Sequence, residues 1–264
     1  MQLHFRQSGS EHNPPLLFLH GLFGSAANWG RIVRHFEADY HCIIPDLRNH
    51  GRSAHHPDVS YKAQAEDVHE LMQALSLRSA HLVAHSMGGK AAMTLALTQP
   101  GAVRSLVVVD IAPVRYKHSF SGIIDALRQL DLQLLQNRDQ ADSQLAASIP
   151  DAAIRAYLLQ NLVKRDGQWH WRINLNYLHA GIGEIIGFPE MKDHLYPGDT
   201  LFLYGERSGY LDQNGSKIAK LLFPRADFVE VGNAGHWVYA ENPVAFIRHV
   251  EEFIDHVKPG RSSS

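Results

Sequence analysis

Apolar residues along this chain come in short uninterrupted blocks: Leu16-Leu17-Phe18-Leu19, Cys42-Ile43-Ile44, Ala80 to Ala84, Ser105 to Val109, Thr200 to Tyr204 and Phe228 to Val231. Continuous apolarity over so few residues predicts parallel strands covered on both faces. Between the blocks the apolar positions recur at helical intervals, which predicts helices over roughly 26–37, 61–75, 216–222 and 243–256, and another behind Ser86 that stops at Pro100. Strand and helix therefore alternate. That is the pattern of an α/β fold with a mostly parallel central sheet and helices on both faces.

The alternation breaks after Pro113. From Val114 to about Pro197 helical patterns take over, with helices expected over roughly 121–136, 140–148 and 151–165, followed by Gly167-Gln168-Trp169-His170-Trp171-Arg172. This is far longer than an ordinary crossover. Residues 114–197 are therefore read as a helical cap inserted in a core made of residues 1–113 and 198–264. Ile123, Ile124, Leu127, Leu130, Leu134, Leu158, Leu159 and Leu162 are expected to form the cap's own core. The aromatics Trp169 and Trp171 are its candidates for lining a substrate pocket.

The chemistry centres on Leu82-Val83-Ala84-His85-Ser86-Met87-Gly88-Gly89-Lys90, an apolar block that ends at a serine and restarts with helical spacing. Such a strand-turn-helix junction strains the serine's backbone and exposes its hydroxyl at the amino end of a helix. Side chains two residues to either side would collide there, and Ala84 and Gly88 are suitably small. The glycine-rich stretch His20-Gly21-Leu22-Phe23-Gly24 also follows a strand. In a doubly wound sheet this brings Leu22 to the same crevice, where its N–H and that of Met87 would receive a developing oxyanion. His236 stands in the small-residue loop Gly232-Asn233-Ala234-Gly235 after the last strand, and Asp110 closes the strand beside that of Ser86. The order serine, acid, histidine is the one expected of this architecture. Phe23, His85 and Trp237 flank these groups and join Trp169 and Trp171 as candidate substrate contacts. Arg48, His50 and Arg52 are read as braces between loops.

Composition narrows the partners. The chain has 264 residues with 25 basic and 27 acidic side chains, a net charge of −2, which leaves no electrostatic footprint for nucleic acid or an anionic membrane. A small-molecule substrate is expected. The single cysteine, Cys42, excludes an internal disulfide and is expected to be a buried, inert thiol. The N-terminus lacks the layout of a signal peptide, and no apolar run approaches the roughly 18 to 20 residues that cross a bilayer, so a cytoplasmic location is expected. The tail Pro259 to Ser264 is expected to fray. No His-x-His or His-Glu-x-x-His spacing suggests a metal.

Taken together, the His20 loop, the Asp46-Leu47-Arg48-Asn49-His50-Gly51 loop, the Ser86 turn, the Val109-Asp110-Ile111-Ala112-Pro113 segment and Gly235-His236-Trp237 resemble those of α/β-hydrolase esterases. Among these the chain most resembles the small bacterial YbfF-type esterases. The resemblance spans nearly the whole chain and is weakest in the cap. It implies a cofactor-free serine hydrolase acting on esters or thioesters, with Ser86 as nucleophile, His236 as base, and Leu22 and Met87 as oxyanion donors. Many members place the acid three residues after the glycine that ends the next strand. Here that glycine is Gly205 and the position holds Ser208, while Glu206 and Asp212 miss the offset, so Asp110 matches the variant in which the acid follows the preceding strand. Ala84 departs from the glycine more common in the family. A carboxylesterase is the expected activity, with an acyl-coenzyme A thioesterase or a pathway-specific acyl or C–C hydrolase as alternatives on the same residues. Arg115, Lys117, Lys164 and Arg165 would then be candidates for the coenzyme's phosphates. An alternative of a different class is a binding protein that kept the pocket and lost turnover, which an intact Ser86, Asp110 and His236 argue against.

Overall fold

The computed structural model describes residues 1–117 and 120–257, so the tail expected to fray lies outside the described residues. In chain order the elements are β1 (Phe5–Ser8), β2 (Pro15–Leu19), α1 (Gly30–Phe36), β3 (His41–Pro45), α2 (Tyr61–Ala74), β4 (Ala80–His85), α3 (Met87–Thr98) and β5 (Val103–Val109). Then come α4 (Ser121–Gln129), α5 (Arg138–Leu145), α6 (Ala152–Leu159), β6 (Leu162–Arg165), β7 (Gln168–Trp171), α7 (Leu175–Ala180) and α8 (Ile182–Ile186). The chain ends with β8 (Thr200–Gly205), α9 (Gln213–Leu222), β9 (Ala226–Val231), α10 (Val238–Glu241) and α11 (Pro243–Val257).

The described residues form a seven-stranded sheet in the order β1-β3-β2-β4-β5-β8-β9, parallel except for β1, which runs antiparallel to β3. Period-two alternation explains the uninterrupted apolar blocks. Leu16 and Phe18 of β2 point to one face and join Trp29, Phe36, Phe246 and Ile254, while Leu17 and Leu19 point to the other and join Val68, Met72 and Leu95. Each parallel strand of the sheet thus feeds two separate cores. β2 sends the chain outward to β3 on one side and then inward to β4 on the other, so the strand order reverses between β2 and β4 and opens a crevice at their carboxyl ends. Cys42 is buried in β3, and burial pushes its thiol up to about 12, which leaves it unreactive.

Three local differences from the sequence expectation have physical causes. β1 is an edge strand whose middle residues are exposed, so it carries no apolar block to reveal it. The helix expected over 121–136 ends at Gln129, and Leu134, placed in the cap core by its spacing, is 70% exposed. The helix expected over 151–165 ends at Leu159, and the chain turns into an antiparallel hairpin that pairs Leu162 with Trp171 and Arg165 with Gln168. Asp166 and Gly167 form its turn at φ 50° and 81°. An Asp-Gly pair between β-branched and aromatic residues is a strong two-residue hairpin signal, because such a turn needs positive φ at both positions. The helical period of Leu158, Leu159 and Leu162 masked it.

Trp29 is fully buried, with its ring 5.3 Å from Phe18, 4.4 Å from Tyr239 and 6.1 Å from Phe246. It ties the loop after β2 to the carboxyl-terminal helices. Trp29→Ala should therefore cost ~3–5 kcal/mol of stability, as cavity-forming aromatic deletions do. Urea denaturation followed by circular dichroism checks this, and a loss under ~1 kcal/mol would mean that the site collapses around the deletion.

Candidate active site

Parallel register brings the candidate groups level with one another. Leu19 pairs with Ala84, His85 with Val109, and Val109 with Leu203, so the chain leaves β2, β4, β5 and β8 at neighbouring points on one rim. Two backbone bonds continue the ladder past the strand ends, Ser86 N–H to the Val109 carbonyl at 3.0 Å and Asp110 N–H to the Leu203 carbonyl at 2.8 Å. Ser86 itself adopts φ 51° and ψ −117°, a conformation that costs a non-glycine residue energy. The turn leaves no room around it: a Cβ on Gly88 would lie 2.5 Å from the His20 carbonyl oxygen. Although Ser86 precedes α3, its side chain does not cap the helix. The hydroxyl faces His236 instead.

His236 Nε2 lies 3.1 Å from Ser86 Oγ, and His236 Nδ1 lies 2.6 Å from Asp110 Oδ2. Asp110 is buried and also accepts the Gly205 N–H at 3.1 Å and the Ser208 hydroxyl at 2.5 Å. Its carboxylate is held by donors on both oxygens, which fixes the plane in which it meets the imidazole. The other nearby carboxylates have different partners. Glu206 accepts the Asn233 N–H, and Asp212 caps α9 through the Gly215 N–H. Ser208, which the sequence marks only as a position lacking an acid, is bound to the Asp110 carboxylate, a partner that its sequence context does not signal. The imidazole of His236, whose side chain is 19% exposed, stacks on Tyr210 with centroids 4.1 Å apart.

The loop after β2 is braced from below by neutral histidines. The Leu47 N–H donates to His20 Nε2 at 2.9 Å and the Phe23 N–H donates to His50 Nε2 at 3.1 Å. Each Nε2 is therefore an acceptor, and each ring turns its Nδ1–H to a carbonyl, of Gly21 for His20 and of Arg48 for His50. Burial pushes the His50 imidazole down to about 3 and His20 also below its ordinary value. Arg48 is tied to Asp67 at 2.6 Å and to the carbonyls of Asp58 and Ala63, and Asp46 accepts the N–H groups of Ala26 and Arg52. Arg48 and His50 thus brace loops, as expected, while Arg52 takes part through its backbone.

Above Ser86 lies an apolar cavity of about 250 Å³. Leu22, Phe23, His85, Ser86, His236 and Trp237 line it from the sheet side; Phe120, Ile123, Ile154, Tyr157, Leu158 and Tyr210 complete the wall. The segment between β5 and β8 also grips the loop after β2. The Tyr157 hydroxyl donates to the Leu22 carbonyl at 3.0 Å, and the Asn161 amide donates to the Phe23 carbonyl at 2.7 Å. Met87 is the first residue of α3, so its N–H has no partner within the helix. His85 Nε2 lies 2.9 Å from the His236 carbonyl.

Trp169 and Trp171 are not brought to this cavity. They lie on the hairpin, with Trp169 beside the Lys164 ammonium at 5.6 Å and Trp171 lining outer hollows with His55. Two residues apart on one strand, they share a face that is turned from the cavity, and besides the expected Phe23 and Trp237 the pocket takes its aromatics from Phe120, Tyr157 and Tyr210, positions whose spacing marks no pocket. Of the four cations considered for phosphates, Lys164 and Arg165 line a hollow with Arg52 and Arg172, whereas Arg115 does not. Among the described residues no group of three or more His, Cys, Asp or Glu side chains could hold a metal, and no helix is long and apolar enough to cross a membrane.

A strained serine at a strand-turn-helix junction, a histidine bridging it to a buried carboxylate, and a doubly wound sheet beneath them define an α/β hydrolase. The chain belongs to the alpha/beta hydrolase fold family, whose model matches residues 14–243, and it is an enzyme of the esterase type. It is similar to the mouse (Mus musculus) sn-1-specific diacylglycerol lipase ABHD11, 39% identical over 249 residues that cover 91% of this chain and 81% of that one. It is 32% identical to esterase YbfF of Escherichia coli strain K12 over 97% of this chain and all of that protein, which bears out the resemblance drawn from its motifs. A solved marine microorganism esterase superposes with a TM-score of 0.92 at 37% identity, covering 96% of this chain and 99% of that one.

Neutral buried histidines set an acid limit on stability. The unfolded chain binds protons near the ordinary histidine value of 6.5, whereas His50 in the fold resists protonation down to about 3. Stability is thus whole above about 6.5 and is lost as pH falls from there toward about 3, at ~1.4 kcal/mol per pH unit for this residue. Urea melts between pH 7 and 4 should show this slope, and His50→Gln, which keeps an acceptor for the Phe23 N–H, should flatten it. An unchanged slope would assign the acid lability to other groups.

Proposed function

We propose that the protein is a cofactor-free serine hydrolase of carboxylic esters with short to medium acyl chains, in which Ser86, His236 and Asp110 act as a triad. The observation that carries this reading is the unbroken line of hydrogen bonds from Asp110 through His236 to Ser86 Oγ at the floor of an apolar cavity. His236 takes the Ser86 proton as Oγ attacks the acyl carbon, and Asp110 orients the imidazole and stabilises its cation. The N–H groups of Leu22 and Met87 receive the oxyanion. His236 then returns the proton to the leaving alcohol, and water cleaves the acyl-enzyme by the same route in reverse. Ser208, by donating to Asp110, keeps the carboxylate aligned with His236 Nδ1. Residues 114–197 act as the cap over a core of residues 1–113 and 198–264, and a cytosolic location suits the buried free thiol.

Substrate size follows from the cavity. Its 250 Å³ falls below the range of roughly 300–1,000 Å³ common for ligand pockets, which supports short acyl chains. A diacylglycerol, the substrate named in the mouse relative, would need the wall of Phe120, Ile123, Ile154 and Leu158 to open. A second reading, acyl-coenzyme A thioester hydrolysis, is favoured by one observation. Arg52, Lys164, Arg165 and Arg172 line a hollow of about 680 Å³ with no carboxylate in its wall, suited to phosphates.

Ser86→Ala should lower ester turnover by several orders of magnitude with the fold intact, and a serine-directed phosphonate should label Ser86. Asp110→Asn should cost something like 10⁴-fold in kcat, by analogy with proteases, while Glu206→Gln and Asp212→Asn stay within about tenfold. Labelling at another serine, or greater damage from Asp212→Asn, would overturn the assignment.

The substrate is tested by a series of soluble esters of increasing acyl length, a diacylglycerol and an acyl-coenzyme A. Activity should be highest on short acyl esters and fall with length. For the thioester, a KM that rises steeply with salt would support the Arg52, Lys164, Arg165 and Arg172 hollow as a phosphate site, and one indifferent to salt would remove it.

A further inference from the structure

Lys90 is 1% exposed, sits one turn beyond Ser86 on α3, and has no part in the proposed chemistry. Its ammonium donates to three carbonyls, those of Val114 at 2.8 Å, Ile186 at 3.1 Å and Gly187 at 2.5 Å. Three protons meet three acceptors, so the group is fully satisfied. The rings of Tyr116 and Tyr61 complete the shell, at 4.6 and 5.6 Å from Nζ. Among the described residues no carboxylate pairs with it, and burial, with a smaller effect of the Arg115 guanidinium, pushes the ammonium down to about 7. A cation is an expensive way to fill an apolar site. What it gains here is geometry.

Val114 is where the chain leaves the sheet after β5, and Ile186 and Gly187 are where α8 ends before the chain returns to β8. One side chain thus gathers both ends of the cap's ordered elements onto the helix that begins at Ser86. The Tyr116 N–H donates to the Ile186 carbonyl at 2.9 Å, and the Tyr61 hydroxyl donates to the Ile185 carbonyl at 2.5 Å, which closes the junction. From there the Tyr116 hydroxyl accepts the Ala112 N–H and donates to the Tyr210 carbonyl at 2.6 Å, and Tyr210 stacks on His236. The same segment continues to Phe120 and Ile123, two walls of the cavity.

We infer that Lys90 is a positioning residue that sets acyl-chain specificity, by pinning both ends of the cap, and with them the Phe120 and Ile123 wall, to the helix that carries the nucleophile. This rests on the serine-hydrolase reading for its kinetic consequence but not for its structural one. Lys90→Met removes the ammonium from the Val114 and Gly187 carbonyls and leaves that of Ile186 to the Tyr116 N–H alone, while keeping much of the volume. Tyr61→Phe removes one hydroxyl bond at the same junction and is the milder change.

The test compares the full-length wild type with both variants on acetyl, butyryl and octanoyl para-nitrophenyl esters, together with trypsin cleavage after Arg115 and Lys117 under native conditions. In Lys90→Met the octanoyl-to-acetyl ratio of kcat/KM should rise by about tenfold, through KM, since wall contacts to a few methylenes are worth that much. Acetyl kcat should stay within about threefold, as the reacting groups are untouched. Trypsin should cut the junction faster in the variant. A lower melting temperature with an unchanged acyl profile and unchanged cleavage would make Lys90 a plain stabilising group and overturn the inference. If Lys90→Met does not fold, Tyr61→Phe must shift the profile and the cleavage in the same direction, and no shift overturns it. If the wild type neither turns over esters nor reacts with the phosphonate, the serine reading fails, and the cleavage comparison alone decides whether Lys90 pins the cap.

Discussion

A serine forced to φ 51° at the end of a buried strand is the constraint around which the molecule is arranged. Strain of this kind persists only when surrounding structure over-determines it. Here β4 is locked between β2 and β5 by parallel ladders, α3 begins at once behind the serine, and the crowding at Gly88 leaves the turn no other path. Relaxing the turn would break Ser86 N–H from Val109 and Lys90 N–H from the Ser86 carbonyl, so the strained rotation and the sheet register stand or fall together.

The buried polar groups divide into those that bond the backbone of loops and those that meet one another side chain to side chain. His20, His50, Arg48 and Asp46 bond mainly to backbone groups, with Asp67 completing the shell of Arg48, and their hydrogen bonds are spent on the shape of the loops. His236 is the exception among the histidines at the rim. It meets a carboxylate on one nitrogen and a hydroxyl on the other, and part of its ring remains open to the cavity. Eighteen histidines would be poor guides to a site by number, and their partners sort them.

The parallel sheet was legible because both of its faces are covered, so each strand reads as an apolar block. The Ser86 turn was legible because its steric demands restrict the residue types at Ala84 and Gly88. That Asp110 and His236 come to the rim beside Ser86 could be read from strand ends and chain order. The cap was another matter. Its elements are short and its core is shared with the sheet, so apolar spacing signals burial without saying against what, as Leu134 and Leu162 show from opposite sides. The role of Ser208 depends on two chain segments 98 residues apart meeting at one carboxylate, and no local pattern encodes that.

The grip of the cap on the loop after β2 has a consequence for the reaction cycle. Tyr157 and Asn161 hold the carbonyls of Leu22 and Phe23, in the loop whose Leu22 N–H is the proposed oxyanion donor, and Tyr157 and Phe23 are also walls of the cavity. Were this segment to swing aside to admit substrate, it would let go of the loop in the same movement. On the proposed mechanism that opened molecule would be idle as well as empty: it could load an ester but would attack it only after the door had shut and the oxyanion loop was again held.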